Sequence, residues 1–259
     1  MPVHATAIVD PGAQIDPTAE IGPFCIIGKE VEIGARTRLM ANVFVEGVTN
    51  IGADNVFYPY STVGVASQDR KYRGERAFTR IGNGNTIREF VTIHRGTEGG
   101  GLTTEIGAGN LLMAYAHVAH DVKIGNGNVL ANAVTLAGHV TIADNTTIGA
   151  FTGVHQFCRV GRESFVGGYS VVTQDVMPFS SVVSEREIRV FGANRVGLER
   201  RNFTRDSIES LQTALRILTR GGLNTTQAVE KIRADVPPCR ELDELLEFIA
   251  SSPRGVIKG

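Results

Sequence analysis

Four histidines stand between positions 117 and 155 of this chain, His117, His120, His139 and His155, and a carboxylate, Asp121, directly follows one of them. A neutral imidazole can take a proton from an alcohol, and a carboxylate on its other nitrogen would fix the tautomer and stabilise the imidazolium. His120-Asp121 therefore has the makings of a general base with an orienting partner. An exposed turn histidine would need no such role. Imidazoles also bind metals, so His117, His139 and His155 could share an ion, although no cysteine lies near and the H-x-x-H spacing is short. Gly138, just before His139, could offer a backbone N–H to a developing oxyanion or simply be a turn glycine. Further on, Arg186, Arg189, Arg195, Arg200, Arg201 and Arg205 stand against Glu185, Glu187, Glu199 and Asp206. Guanidinium groups in local excess suit phosphate or an acidic partner, and the adjacent pair Arg200-Arg201 is the better candidate.

The elements that must position these groups follow from one period. From Ile106 to Val172 an aliphatic residue recurs at every sixth position: Ile106, Leu112, Val118, Ile124, Leu130, Leu136 and so on without a break. A helix wants apolar residues three and four apart and a half-buried strand wants them two apart, so a sustained six is the hexapeptide repeat of a parallel β-helix. Three hexads make a turn of a triangular prism, and residues 18 apart lie one strand spacing apart, about 4.8 Å. His120, His139 and His155, spaced by 19 and 16, are then expected in a short column along one corner, with His117 beside the first. Asp121 can reach its neighbour His120 only where the chain bends, because successive residues in a strand face opposite ways.

The repeat begins at Val3 and runs to Val63, resumes in phase from Ile81 to Ile93, and resumes again at Ile106. The polar stretch 65–76 and the shorter Glu98-Gly99-Gly100-Gly101-Leu102 read as loops thrown out of the coil, where functional residues often sit. About nine turns give a prism roughly 40 Å tall at the strand spacing. Beyond Pro178 the period is lost. An irregular connector from Met177 to Phe203 leads to three helices: 206–220 with Thr204 as N-cap, 226–234, and one carrying Leu242, Leu245, Leu246 and Ile249 on one face. The expected organisation is a mainly β protein, with a parallel β-helix over 1–190 and a small α-helical domain over 191–259.

Composition narrows the function classes. The chain has 259 residues, 30 glycines and a net charge of −1, which argues against general nucleic-acid binding. Many of the glycines follow the aliphatic hexad position, as in Ile21-Gly22 and Ile106-Gly107, where they avoid crowding at corners. Three scattered cysteines form no C-x-x-C pair and fit a reducing compartment. No transmembrane segment or leader is evident, so a cytoplasmic protein is expected.

Ala116-His117-Val118-Ala119-His120-Asp121, Leu136-Ala137-Gly138-His139-Val140, Val154-His155-Gln156-Phe157-Cys158, Thr92-Ile93-His94-Arg95-Gly96-Thr97 and Gln68-Asp69-Arg70-Lys71-Tyr72 closely resemble the UDP-N-acetylglucosamine acyltransferases that open lipid A biosynthesis. The likeness extends to Gly197-Leu198-Glu199-Arg200-Arg201 and so over essentially the whole chain. It implies a left-handed parallel β-helix and a homotrimer with active sites between subunits. The implied reaction moves a 3-hydroxyacyl chain from acyl carrier protein to the glucosamine 3-hydroxyl, with no cofactor and no metal. By this resemblance His120 is the base, Asp121 its partner and the Gly138 amide the oxyanion donor. Asp69, Lys71, His117, His139 and Gln156 hold the sugar; His155, Asn194, Arg200 and Arg201 serve the nucleotide; Gly168 sets acyl length, its missing side chain leaving room for a longer chain.

Two departures bear on the nucleotide contacts: 184–192 lacks the family's Gly-Asn-x-x-x-x-x-Gly connector, and Val196 stands where a glutamate is common. A UDP-sugar with a 3-amino group, acylated to an amide, is the alternative acceptor. The rivals from other classes are a metal-dependent hydratase on the same fold and a non-catalytic hexapeptide scaffold. The pathway's later N-acyltransferase carries an N-terminal domain, for which a repeat beginning at Val3 leaves no room.

Overall fold

The computed structural model describes residues 3–184, 188–220 and 222–258. Its strands form three sheets of nine, eight and ten, and each strand is hydrogen-bonded to those three before and three after it in sequence. This is the wiring of a three-faced coil. Neighbouring turns are in parallel register 18 residues apart, as for Val118 on Leu136 and Leu136 on Val154. The hexad aliphatics point inward and almost all are fully buried, Ile27, Leu39, Ile87, Leu130 and Ile148 among them. Each such side chain contributes about 1.5–3 kcal/mol by leaving water.

At the corners two devices separate the roles of glycine and of the left-handed conformation. A Cβ on Gly22 would lie 1.4 Å from the Met40 carbonyl oxygen of the next turn, so glycine there permits close approach of backbones. The left-handed corner positions are instead filled by Asn, Asp, His and aromatic residues, including Asn42 at φ 52 and Tyr115 at φ 66. Inside one corner a buried ladder fixes the register. Asn55 Oδ1 accepts from Asn85, Asn85 Oδ1 from Asn110, Asn110 Oδ1 from the Asn128 amide and Asn128 Oδ1 from the Thr146 amide, at 2.7–2.9 Å.

Both interruptions are loops ejected from the coil. Ile51 pairs with Ile81, 30 residues on, and Ile81 with Ile106, 25 residues on, yet the ladder continues through both.

The C-terminal end differs from the irregular connector expected there. The coil continues past Pro178 with turns two residues shorter: Val160 bridges Val176 and Val166 pairs with Val182, and this shortening hides the period. Strand Ser180–Ser184 then meets Ile188–Ala193 running antiparallel. Four helices follow. α1 (Arg195–Arg200) was not anticipated; α2 (Arg205–Arg220), α3 (Thr225–Asp235) and α4 (Arg240–Ala250) match the three expected. Thr204 Oγ1 accepts the Ser207 amide at 3.2 Å as the predicted cap, and α3 starts in an Asn224–Gln227 capping box. Leu242, Leu245, Leu246 and Ile249 are the buried face of α4, and α2 packs on strand 188–193. Glu185, Arg186 and Glu187 of the charged connector lie outside the described residues. Among those described, no helix is long and apolar enough to cross a membrane.

Candidate active site

After strand His117–Val118 the chain turns the corner through Ala119 and His120, and Asp121 adopts φ 59. His139 and Phe157 repeat that left-handed position on the next two turns, at φ 62 and φ 66. The stacking therefore resolves the expected histidine column into three adjacent ones. Asp121, His139 and Phe157 form one, His120, Gly138 and Gln156 the next, and Ala119, Ala137 and His155 the third, as the pairing of His117 with Thr135 and Thr135 with Gly153 requires. His139 lies face to face with Phe157 at 4.4 Å and edge-on to His120 at 5.0 Å. Small residues at 119, 137 and 138 leave a cavity of about 610 Å³ in front of His120, roofed by Asp69 and Lys71 from the first ejected loop.

Each atom of the central pair has an assigned neighbour. His120 Nδ1 is 2.8 Å from Asp121 Oδ2, and its Nε2 faces Asp69 Oδ2 across 3.9 Å. Asp121 is 4% exposed, and its carboxylate accepts the Thr97 amide at 3.0 and 3.1 Å and the Thr97 hydroxyl at 2.6 Å. An acceptor so fully used holds the imidazole proton on Nδ1 and leaves a lone pair on Nε2, in the cavity. Gly138 lies against the ring: a Cβ there would be 2.5 Å from both Cε1 and Nε2 of His120. Among the described residues the Gly138 N–H has no acceptor within the chain, so it is available to a ligand. The Lys71 amide donates to Asp69 Oδ1 at 2.9 Å and, as the main cause, holds that carboxyl below the usual carboxylate range.

Two further histidines complete the cavity wall. His117 Nδ1 is 2.7 Å from Thr92 Oγ1, and its ring meets the edge of His94 at 4.8 Å. The sequence reading gave His94 no role beyond its motif; its place directly after Ile93, matching that of Ala119 after Val118, was the signal that would have put it here. His94 is 4% exposed and its Nδ1 has no partner. Burial, reinforced by His117, lowers its pKa from 6.5 to about 4. Burial likewise lowers those of His117 and His139. The unfolded chain takes up a proton near pH 6.5 while folded His94 resists to about 4. The stability due to this difference is fully present above pH 6.5 and is lost as pH falls through the folded value. The His94 share is about 3 kcal/mol. Urea unfolding at fixed protein concentration is expected to lose midpoint between pH 7 and 4, and the loss should be smaller in His94→Gln; parallel profiles would contradict it.

The remaining candidates lie on other edges of the prism. His155, on the same corner as His120, is exposed and contacts the Gln156 carbonyl at 3.2 Å. Gly168 sits on the corner between strands Phe165–Val166 and Val171–Val172, where its Cβ would come 3.0 Å from the Ala150 carbonyl oxygen. Arg201 pairs with Glu163 at 2.8 Å on the third corner; Asn194 there caps α1 and donates to the Glu163 carbonyl at 3.0 Å. Arg200 is exposed beside Arg201, and Val196 is exposed on α1. Within one chain these groups cannot join His120. Nor are His117, His139 and His155 gathered into a metal set. The one group with metal-like spacing among the described residues is His120, Asp121 and His139.

Comparison with known proteins agrees with this geometry. Residues 103–138 match the bacterial transferase hexapeptide family, and residues 175–257 match the second domain of UDP-N-acetylglucosamine O-acyltransferase. The acyl-[acyl-carrier-protein]–UDP-N-acetylglucosamine O-acyltransferase of Thermodesulfovibrio yellowstonii is 46% identical over 256 residues, covering 99% of each chain. Its counterpart in Syntrophobacter fumaroxidans is 43% identical over 258 residues, the whole of both. The solved UDP-N-acetylglucosamine acyltransferase of Bacteroides fragilis superposes with a TM-score of 0.95 at 40% identity, covering 99% of this chain and all of that one. The fold is thus the left-handed parallel β-helix with a small helical C-terminal part. On its sequence, its coil and its catalytic corner together, the chain belongs to the acyl-[acyl-carrier-protein]–UDP-N-acetylglucosamine O-acyltransferase family.

Proposed function

We propose that His120 is the general base for transfer of a 3-hydroxyacyl group from acyl carrier protein to the 3-hydroxyl of UDP-N-acetylglucosamine, the opening step of lipid A biosynthesis. The observation that carries this reading is an imidazole committed through Nδ1 to buried Asp121 and open through Nε2 to the cavity. Nε2 takes the proton of the 3-hydroxyl as its oxygen bonds to the thioester carbon. The Gly138 N–H receives the resulting oxyanion. Collapse breaks the carbon–sulfur bond, and the imidazolium returns its proton to the carrier's thiolate. Asp121 remains a carboxylate throughout. Asp69, Lys71, His117, His139 and Gln156, around the cavity mouth, hold the sugar.

No metal is needed in this scheme, because both Asp121 oxygens are occupied by Thr97 and His120 protons. Three unpaired cysteines fit work in the reducing cytoplasm. Mass-spectrometric assay of purified protein with 3-hydroxyacyl carrier proteins of several lengths, and with UDP-N-acetylglucosamine or its 3-amino analogue, tests the reading. An ester, unaffected by chelator, is the expected product. An amide alone would move the activity to the amino sugar, and no product from either would sink the proposal.

The working unit is a homotrimer. Asn194, Arg200 and Arg201, proposed with His155 for the nucleotide, and Gly168, proposed for acyl length, occupy corners different from that of His120, so a complete site requires a neighbouring copy. His120→Ala and Arg201→Ala variants, each inactive alone, are therefore expected to regain activity when assembled together. Random assortment in a closed ring restores about a quarter of wild-type sites. Activity no higher than that of the separate variants would place each site within one chain.

A further inference from the structure

The short glycine-rich interruption reads in sequence as a loop thrown clear of the coil, yet it grips the catalytic pair. Thr97 is 5% exposed and opens the turn Glu98–Gly100 with its carbonyl, which accepts the Gly100 amide at 3.1 Å and the Leu102 amide at 2.9 Å. Its hydroxyl donates to Asp121 Oδ2 at 2.6 Å, the same oxygen that lies 2.8 Å from His120 Nδ1. Its amide bridges both carboxylate oxygens. Gly100 closes the other side: a Cβ there would be 2.0 Å from Asp121 Cγ. The Asp121 amide in turn donates to Thr104 Oγ1 at 2.8 Å. The carboxylate can neither rotate nor withdraw without breaking these contacts.

We propose that Thr97 is a positioning residue for acyl transfer, its hydroxyl holding Asp121 Oδ2 where that oxygen fixes the His120 imidazole. The proposal rests on His120 acting as the base. Without the hydroxyl, Oδ2 loses its shortest donor and the carboxylate can swing about its terminal torsion, carrying the ring away from the acceptor oxygen. Because Thr97 does not reach the cavity's sugar-holding groups, its effect falls on turnover and not on substrate binding.

Thr97→Val keeps the shape and the backbone amide and removes only the hydroxyl; Thr97→Ser keeps the hydroxyl. The valine variant is expected to lose kcat by 10- to 100-fold, as for other groups that orient a ligand-contacting residue. Its KM for the sugar nucleotide should stay within about twofold, and serine should restore most of kcat. In an Asp121→Ala background, adding Thr97→Val should change kcat less than about twofold, because its partner is already gone. Should valine prevent assembly, Thr97→Ala takes its place in the same comparison. A valine variant with wild-type kcat, a loss seen only in KM, a serine variant as slow as valine, or full additivity with Asp121→Ala would each overturn the proposal. Wild-type protein that transfers no acyl group would overturn the reading of His120 instead, so the two failures are separable.

Discussion

His120→Ala is expected to assemble as the wild type does and to transfer acyl groups about 10³-fold more slowly. Folding should survive, because the ring stands on the outside of a corner and contributes nothing to the buried aliphatic stack; its only close polar partner is Asp121. The chemistry should not survive. A sugar hydroxyl is a poor nucleophile until its proton has somewhere to go, and with Asp69 3.9 Å from Nε2 on the far side no other neutral base touches that point. What rate remains comes from holding the thioester and the hydroxyl together. Single-turnover assays by mass spectrometry, with assembly checked by ultracentrifugation, measure both halves. More than about a tenth of the wild-type rate would remove His120 from the base's place.

Gly138→Ala is the second large effect, and it changes no ionisable group. The backbone at Gly138 is not in the left-handed region, so alanine is conformationally acceptable there. The new methyl, however, would sit 2.5 Å from the catalytic nitrogen of His120, inside any van der Waals distance. The imidazole cannot tilt aside while it keeps Nδ1 on Asp121, so one contact must yield. The expected result is a folded protein with kcat reduced about 100-fold, the scale on which misplacement by an ångström acts. Unchanged kcat together with a normal melting temperature would show that the ring has room the structure does not give it.

Much of this was legible from residue spacing. The aliphatic period located nearly every buried core position from Val3 to Val172 and the in-phase restart after each loop, because in this coil one inward side chain per hexad is the whole packing requirement. The helical faces of α2 and α4 were readable for the same reason at another period. Where the reading fell short, the cause is physical. The histidine spacings of 19 and 16 suggested one column, but stacking goes by 18, so those small offsets place the rings in neighbouring columns that face each other. Thr97 and His94 were quoted within a motif without a role, since what a loop touches is set in three dimensions. The closing strand pair was missed because two shortened turns break the period on which the search depended.

That closing pair has a consequence for how the molecule avoids its own kind. A stack of parallel turns resembles the arrangement by which extended segments recruit further copies into fibrils, because its last turn displays a row of unmet amides and carbonyls. Strand Ile188–Ala193 meets that row in the opposite direction and α2 lies upon it, so the next position is geometrically wrong for another parallel turn and is sterically shielded. The chain thereby ends its own polymerisation: at this end a repetitive, self-complementary architecture has a built-in full stop.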